Sequence, residues 1–127
     1  MPLTPRPIRA IAIALIRSRG RLLVFEGRDA TRPQPYYRPL GGGIEPGERA
    51  AETVVRELRE EIGAKIRVVG QREVFENLFT LDGEARHEIG FAFDAECVDP
   101  VWAERERIEG REATGEAMIV RWMPIDE

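Results

Sequence analysis

The chain has one cysteine, one histidine and one lysine, and no apolar run long enough to span a bilayer. Cys97 alone excludes an intramolecular disulfide framework and a cysteine-based zinc cluster, so a reducing compartment is the expected setting and core filling the expected use of the thiol. Nothing pairs His87 with a nucleophilic Ser or Cys, which leaves it as a structural residue. The apolar stretch Ala10–Ile16 falls far short of the ~20 residues that cross a membrane. Arg17-Ser18-Arg19-Gly20 follows it with no small-x-small cleavage site, so a secretory signal is not expected. Cytoplasmic residence without a membrane partner is the resulting expectation.

What is present suits one globular domain spanning residues 1–127, with 43% hydrophobic and 33% charged residues in a chain of 127. The net charge of −4 argues against a nucleic-acid surface. The charge is uneven, however: the first 40 residues hold eight arginines against Glu26 and Asp29. Arginine grips phosphate oxygens as a bidentate fork, which makes Arg28, Arg32 and Arg38 candidates for holding substrate phosphates. Because 18 of the 19 basic residues are arginine, a compositional bias explains their number equally well.

Ile8–Arg17 and Arg21–Glu26 read as strands joined by a turn at Ser18–Gly20. Gly27–Pro39, carrying three prolines, reads as a loop without regular structure. Lys65–Leu81 and His87–Val98 read as long β segments joined through Leu81-Asp82-Gly83, a hairpin signal. Asp99–Ala117 reads as a long charged connection, and Met118–Met123 as the last strand. Strands interrupted by one helix predict an α/β or α+β domain.

That helix is the most informative segment. Over Arg49–Ile62 the apolar residues Ala51, Val54, Val55, Leu58 and Ile62 form one stripe, and Gly63 suits a left-handed cap. Glu57, Glu60 and Glu61 project elsewhere as surface neighbours, where like charges repel unless neutralised. A hard divalent cation such as Mg²⁺ would neutralise them through oxygen ligands shared with phosphate. An acidic face interleaved with Arg49, Arg56 and Arg59 also describes a solvated helix. The two readings are separated by how far the pattern extends upstream: Gly42, Glu48, Arg56, Glu57, Leu58, Glu60, Glu61 and Gly63 together satisfy G-x5-E-x7-R-E-U-x-E-E-x-G.

This pattern resembles the signature of the Nudix hydrolase family. Ala64 stands where a larger aliphatic residue is usual, and Arg38-Pro39-Leu40-Gly41-Gly42-Gly43 replaces the more common Pro-Gly-Gly approach. A looser likeness runs from Ile8 to the Trp122–Glu127 ending. The resemblance implies a mixed β-sheet sandwiched between helices. It also implies a Mg²⁺- or Mn²⁺-dependent enzyme that cuts the pyrophosphate of a nucleoside diphosphate linked to another moiety. A fold-conserving module that binds a nucleotide without cleaving it is the alternative.

Carried onto this chain, the resemblance makes Glu57, Glu60 and Glu61 metal ligands, helped by the Gly41 carbonyl. Arg56 would orient the carboxylates, and Glu48 would either tie the loop to the helix or join the metal site. Gly42, Gly43 and Gly47 would let the backbone approach phosphate closely. The general base would be a helix glutamate or a loop acid, with Glu116 ahead of Glu112 and Glu88 a weaker choice. Phe25, Tyr36, Tyr37, Phe75, Phe79 and Trp102 could stack on a base, with the two tyrosines and Trp102 preferred. The surface after Trp122 would be covered by a further helix or by a partner subunit, so a homodimer is an expectation.

Overall fold

A computed structural model describes residues 6–112 and 114–125. Its elements are β1 (Arg9–Ser18), β2 (Arg21–Gly27), β3 (Tyr36–Gly43), α1 (Ala50–Ile62), β4 (Ile66–Leu81), β5 (Glu84–Cys97), a 3₁₀ turn (Pro100–Glu104), β6 (Arg107–Arg111) and β7 (Ala117–Pro124). The seven strands run in the order β4-β5-β1-β3-β2-β7-β6. β1 and β5 are parallel and the other pairs antiparallel, so the sheet is mixed as expected.

Turn chemistry sets the two tight hairpins. Arg19 and Gly20 both have positive φ (55° and 73°), as do Asp82 and Gly83 (53° and 80°). Paired positive φ values match the right-handed twist of the flanking strands. β3 is the pivot of the sheet: Tyr36–Pro39 pair with β2, whereas Leu40–Gly43 pair with β1. The sheet forks there, and α1 packs against β3, β1, β6 and β4 across the fork. Val54 and Leu58 are fully buried, and Ala51, Val55 and Ile62 pack beside them against Ala12, Ala14, Phe93 and Val120.

Three expectations change. Gly27–Pro39 is not wholly irregular, because β3 begins at Tyr36. Pro39 lacks an N–H to donate but remains paired with Val24 through the register of its neighbours. Asp99–Ala117 is not a plain connection; it contains the 3₁₀ turn and β6, which adds an edge to β7. Too few apolar residues lie in that stretch for a strand to be read from alternation alone. Finally, the described residues carry α1 and the 3₁₀ turn as their only helical elements, where the resemblance implies helices on both faces. Among the described residues no helix is long and apolar enough to cross a membrane. Of the Trp122–Glu127 ending, Asp126 and Glu127 lie outside the described residues.

Candidate active site

The glycine turn and α1 are locked together by one guanidinium. Arg56 donates to Glu48 through Nε (2.7 Å) and Nη2 (2.9 Å), to the Gly43 carbonyl (3.1 Å) and to Glu60 (3.1 Å). Glu48 also accepts from the Thr53 hydroxyl (2.8 Å) and the Glu45 N–H (3.2 Å). These bonds, led by the one from Arg56, hold the Glu48 carboxyl at a pKa of about 2. Arg56 is raised further above its ordinary range, chiefly by the Glu48 hydrogen bonds. At the helix start, Glu52 accepts from the Arg49 N–H (2.8 Å). At its end, Gly63 takes φ 76° and its N–H returns to the Arg59 carbonyl (2.9 Å).

The carboxylates do not behave alike. Glu57 is buried although its position lies off the apolar stripe. Its carboxyl presses on Gly42, where a Cβ would come within 2.5 Å of the carboxyl carbon. Burial raises its pKa, against the pull of Arg56. Glu61, one turn on, is pushed up to about 8, first by burial and then by the charges of Glu57, Glu112 and Glu60. Its Oε1 is buried without a hydrogen-bond partner. Glu60, by contrast, is exposed and turned to Arg56. Among the described residues no three His, Cys, Asp or Glu side chains stand already gathered as an ion-binding group.

Glu57 and Glu61 share one cleft with Gly41, Gly42, Arg38, Arg86, Glu88 and Glu112. The donors are oxygens only, Glu61 has an orphaned oxygen, and the one nearby guanidinium on the helix is committed to Glu48. This set fits a hard divalent cation. Glu88 is buried between Arg38 (3.4 Å) and Arg9 (3.7 Å). At Gly41 a Cβ would overlap the Ala12 carbonyl, so the β1–β3 approach requires glycine.

Of the other sequence-derived residues, those on β3 divide by strand alternation. Arg38 faces the cleft; its neighbour Tyr37 is exposed on the far side and donates weakly to Glu26 (3.4 Å), while Tyr36 lines the cleft. Arg28 is exposed, bonded to the Pro33 carbonyl (3.3 Å), and lies outside the cleft lining. Glu116 is exposed and does not line the cleft, whereas Glu112 does. Gly43 carries the carbonyl that Arg56 binds, and Gly47 forms the turn with φ 86°. Trp102 is packed against the core, where its carbonyl accepts from the Trp122 indole (3.1 Å) and its ring lies under Arg105.

Arg86 and Arg9 escaped the sequence reading. The signal was there: the Asp82-Gly83 turn fixes the hairpin register, which sets Arg86 opposite Phe79 and Glu88 opposite Asn77.

Over residues 5–127 the sequence matches the family model of the NUDIX domain. Nucleoside triphosphatase NudI of Klebsiella pneumoniae subsp. pneumoniae is 40% identical over 58 residues, a stretch covering 46% of this chain and 41% of that protein. The protein of the same name from Escherichia coli O9:H4 is 41% identical over 59 residues, covering 46% and 42%. The match thus spans about two fifths of these curated relatives. Among solved structures, a NUDIX hydrolase from Nitrosomonas europaea superposes with a TM-score of 0.66 at 21% identity, covering 94% of this chain and 74% of that one. A MutT NUDIX hydrolase from Burkholderia pseudomallei gives 0.64 at 20% identity, covering 96% and 87%. At such identities the likeness is one of fold.

Proposed function

The chain belongs to the Nudix family, and from that premise we propose that it is a divalent-metal-dependent pyrophosphohydrolase acting on a nucleoside diphosphate derivative. The observation that carries the reading is the buried, unpartnered oxygen of Glu61 beside Glu57 in one cleft, while Arg56 on the same helix is committed to Glu48 outside it. Buried carboxylates crowded in this way favour either a proton or a cation.

Glu57 and Glu61, with Glu60 after a side-chain rotation and the Gly41 carbonyl, would hold Mg²⁺ or Mn²⁺. The bound ion would supply charge shielding to the diphosphate and acidify water. The chain's own residues do the rest. Arg56 fixes the turn against the helix and so orients Glu57. Arg38 and Arg86 supply positive charge on the cleft wall opposite the helix acids. Of the two loop acids, Glu112 rather than Glu116 is the one close enough to Glu61 to raise its pKa, so the water-activating role goes to Glu112 or to Glu61 itself.

The test is a panel of nucleoside triphosphates and diphosphate-linked compounds with Mg²⁺, Mn²⁺ or EDTA, scored by product mass. Turnover is expected only with metal, and Glu61→Gln is expected to lower it on the order of 10²-fold or more. Turnover unaffected by Glu61→Gln would remove these carboxylates from the mechanism. Tight nucleotide binding without turnover at any metal concentration would favour a silent binding module.

A further inference from the structure

Away from the acidic cleft, the charges of α1 fall into two sets. Arg56 gathers Glu45, Glu48, Glu57 and Glu60 around one guanidinium. Arg59 is left over: it is exposed, and among the described residues its side chain makes no hydrogen bond or ion pair. Glu52 is exposed as well, accepting only from the Arg49 N–H (2.8 Å) and meeting no cation.

Both residues border a shallow groove of about 660 Å³ along the outer side of α1, floored by Ala51, Val55 and Val68. These three side chains are half-buried, resting on the core from one side and open from the other. Glu57 and Glu61 line the acidic cleft and not this groove.

The spacing of the two free charges is the informative feature. Arg59 follows Glu52 at i+7, two helical turns or about 10 Å along the axis, so both project from nearly the same side with Val55 close to the midpoint. They stand too far apart to pair with each other, because ion pairs along a helix form at i+3 or i+4. A second α1 laid antiparallel across the groove, on a two-fold axis beside Val55, sets Glu52 of each copy against Arg59 of the other and brings the apolar floors together. A parallel arrangement sets like against like. A purely acidic or purely basic segment of another protein would satisfy one end of the groove and oppose the other. Two copies of a chain with net charge −4 repel at a distance, so association depends on a local match of this kind.

We propose that this side of α1 is a self-complementary interface through which two copies of the chain pair, with Val55 at its centre and Glu52 and Arg59 as reciprocal ion pairs. The interface differs from the surface after Trp122 and is independent of the hydrolase reading, since Glu52, Val55 and Arg59 do not line the acidic cleft.

Sedimentation equilibrium over a concentration series is the test. The wild type should move from its chain mass of 14.4 kDa toward twice that value as concentration rises. High salt should shift the transition to higher concentration. Glu52→Arg and Arg59→Glu each set like charges against one another in both pairs, and each should raise the dimer dissociation constant at least about 10-fold. Mixed in equal amounts, these two variants should recover association to within about threefold of the wild type. In the mixed pair the two substituted side chains meet as opposites, and so do the two unsubstituted ones.

A wild type that keeps the chain mass at every concentration would overturn the proposal. A dimer indifferent to both substitutions would overturn it too, as would a loss that mixing the two folded variants does not restore. Glu52→Arg also removes the bond to the Arg49 N–H, so circular dichroism melting checks the fold of each variant. Val55→Lys leaves both ion pairs and that bond in place while setting a charge in the apolar centre, and it should weaken the dimer at least about 10-fold. Should Glu52→Arg fail to fold, Arg59→Glu and Val55→Lys decide the matter: a dimer that survives both is built on another surface.

Discussion

Glu48 and Glu61 lie on the same turn-and-helix unit and are driven in opposite directions. Glu48 is held at about 2 by Arg56 and Thr53, so its contribution to stability is fully present above its ordinary value near 4.5 and is lost as pH falls through about 2. Glu48→Gln should therefore lower the melting temperature at neutral pH and flatten its fall between pH 5 and pH 2. It should also reduce hydrolysis about 10–100-fold, because Arg56 loses its anchor. Glu61 follows the other sign. Raised to about 8, it is favoured in the folded state when neutral, so the metal-free protein loses stability as pH rises from about 4.5 through 8. Melting curves in EDTA from pH 5 to pH 9 should show this decline in the wild type and not in Glu61→Gln. Parallel curves for the two proteins would mean that Glu61 is ionised throughout.

The helix and its flanking turns form an element that the chain specifies almost completely. Val54 and Leu58 bury the stripe, the Glu52 carboxylate accepts from the backbone at the start, and Gly63 ends it in the left-handed conformation. A residue with a Cβ at that φ costs about 1–2 kcal/mol. Gly63→Ala should lower stability by that amount in urea denaturation, with little change in KM, since no site carboxylate is displaced. β4 and β5 show the other side of element-scale reading. Their hairpin turn was legible from Asp82-Gly83, and with it the register that gathers Phe75, Asn77 and Phe79. The bulges between Val68 and Gly70 and between Gln71 and Glu73 were not, because no local residue pattern demands them.

At the scale of the molecule, the site depends on how closely β6 approaches the end of α1. A Cβ at Gly110 would overlap the Glu61 carbonyl and crowd the Ile62 side chain. Gly110→Ala should therefore push β6 away from the helix, costing about 1–3 kcal/mol of stability. It should also lower kcat by moving Glu112, two residues on, relative to Glu61. Unchanged kcat with reduced stability would separate β6 packing from catalysis and leave Glu61 as the base.

The sequence by itself determined the helix, its glycine cap, the two tight turns and the acidic motif, because each rests on local spacing or on residues with special backbone freedom; the mixed sheet came from the family resemblance the motif carries. In sequence Arg28 and Tyr37 stood level with Arg38 and Tyr36, and Glu116 stood ahead of Glu112. Their placement came only from the tertiary structure: strand pairing turns Tyr36 and Arg38 toward the cleft and Tyr37 away, and the course of the loops brings Glu112, not Arg28 or Glu116, to its lining. It was likewise the fold that buried Glu57 against Gly42 and left Glu61 without a partner, whereas the Arg56–Glu60 pair is a local i, i+4 contact on the helix. Burial is a property of the assembled molecule, and no local pattern of residues encodes it.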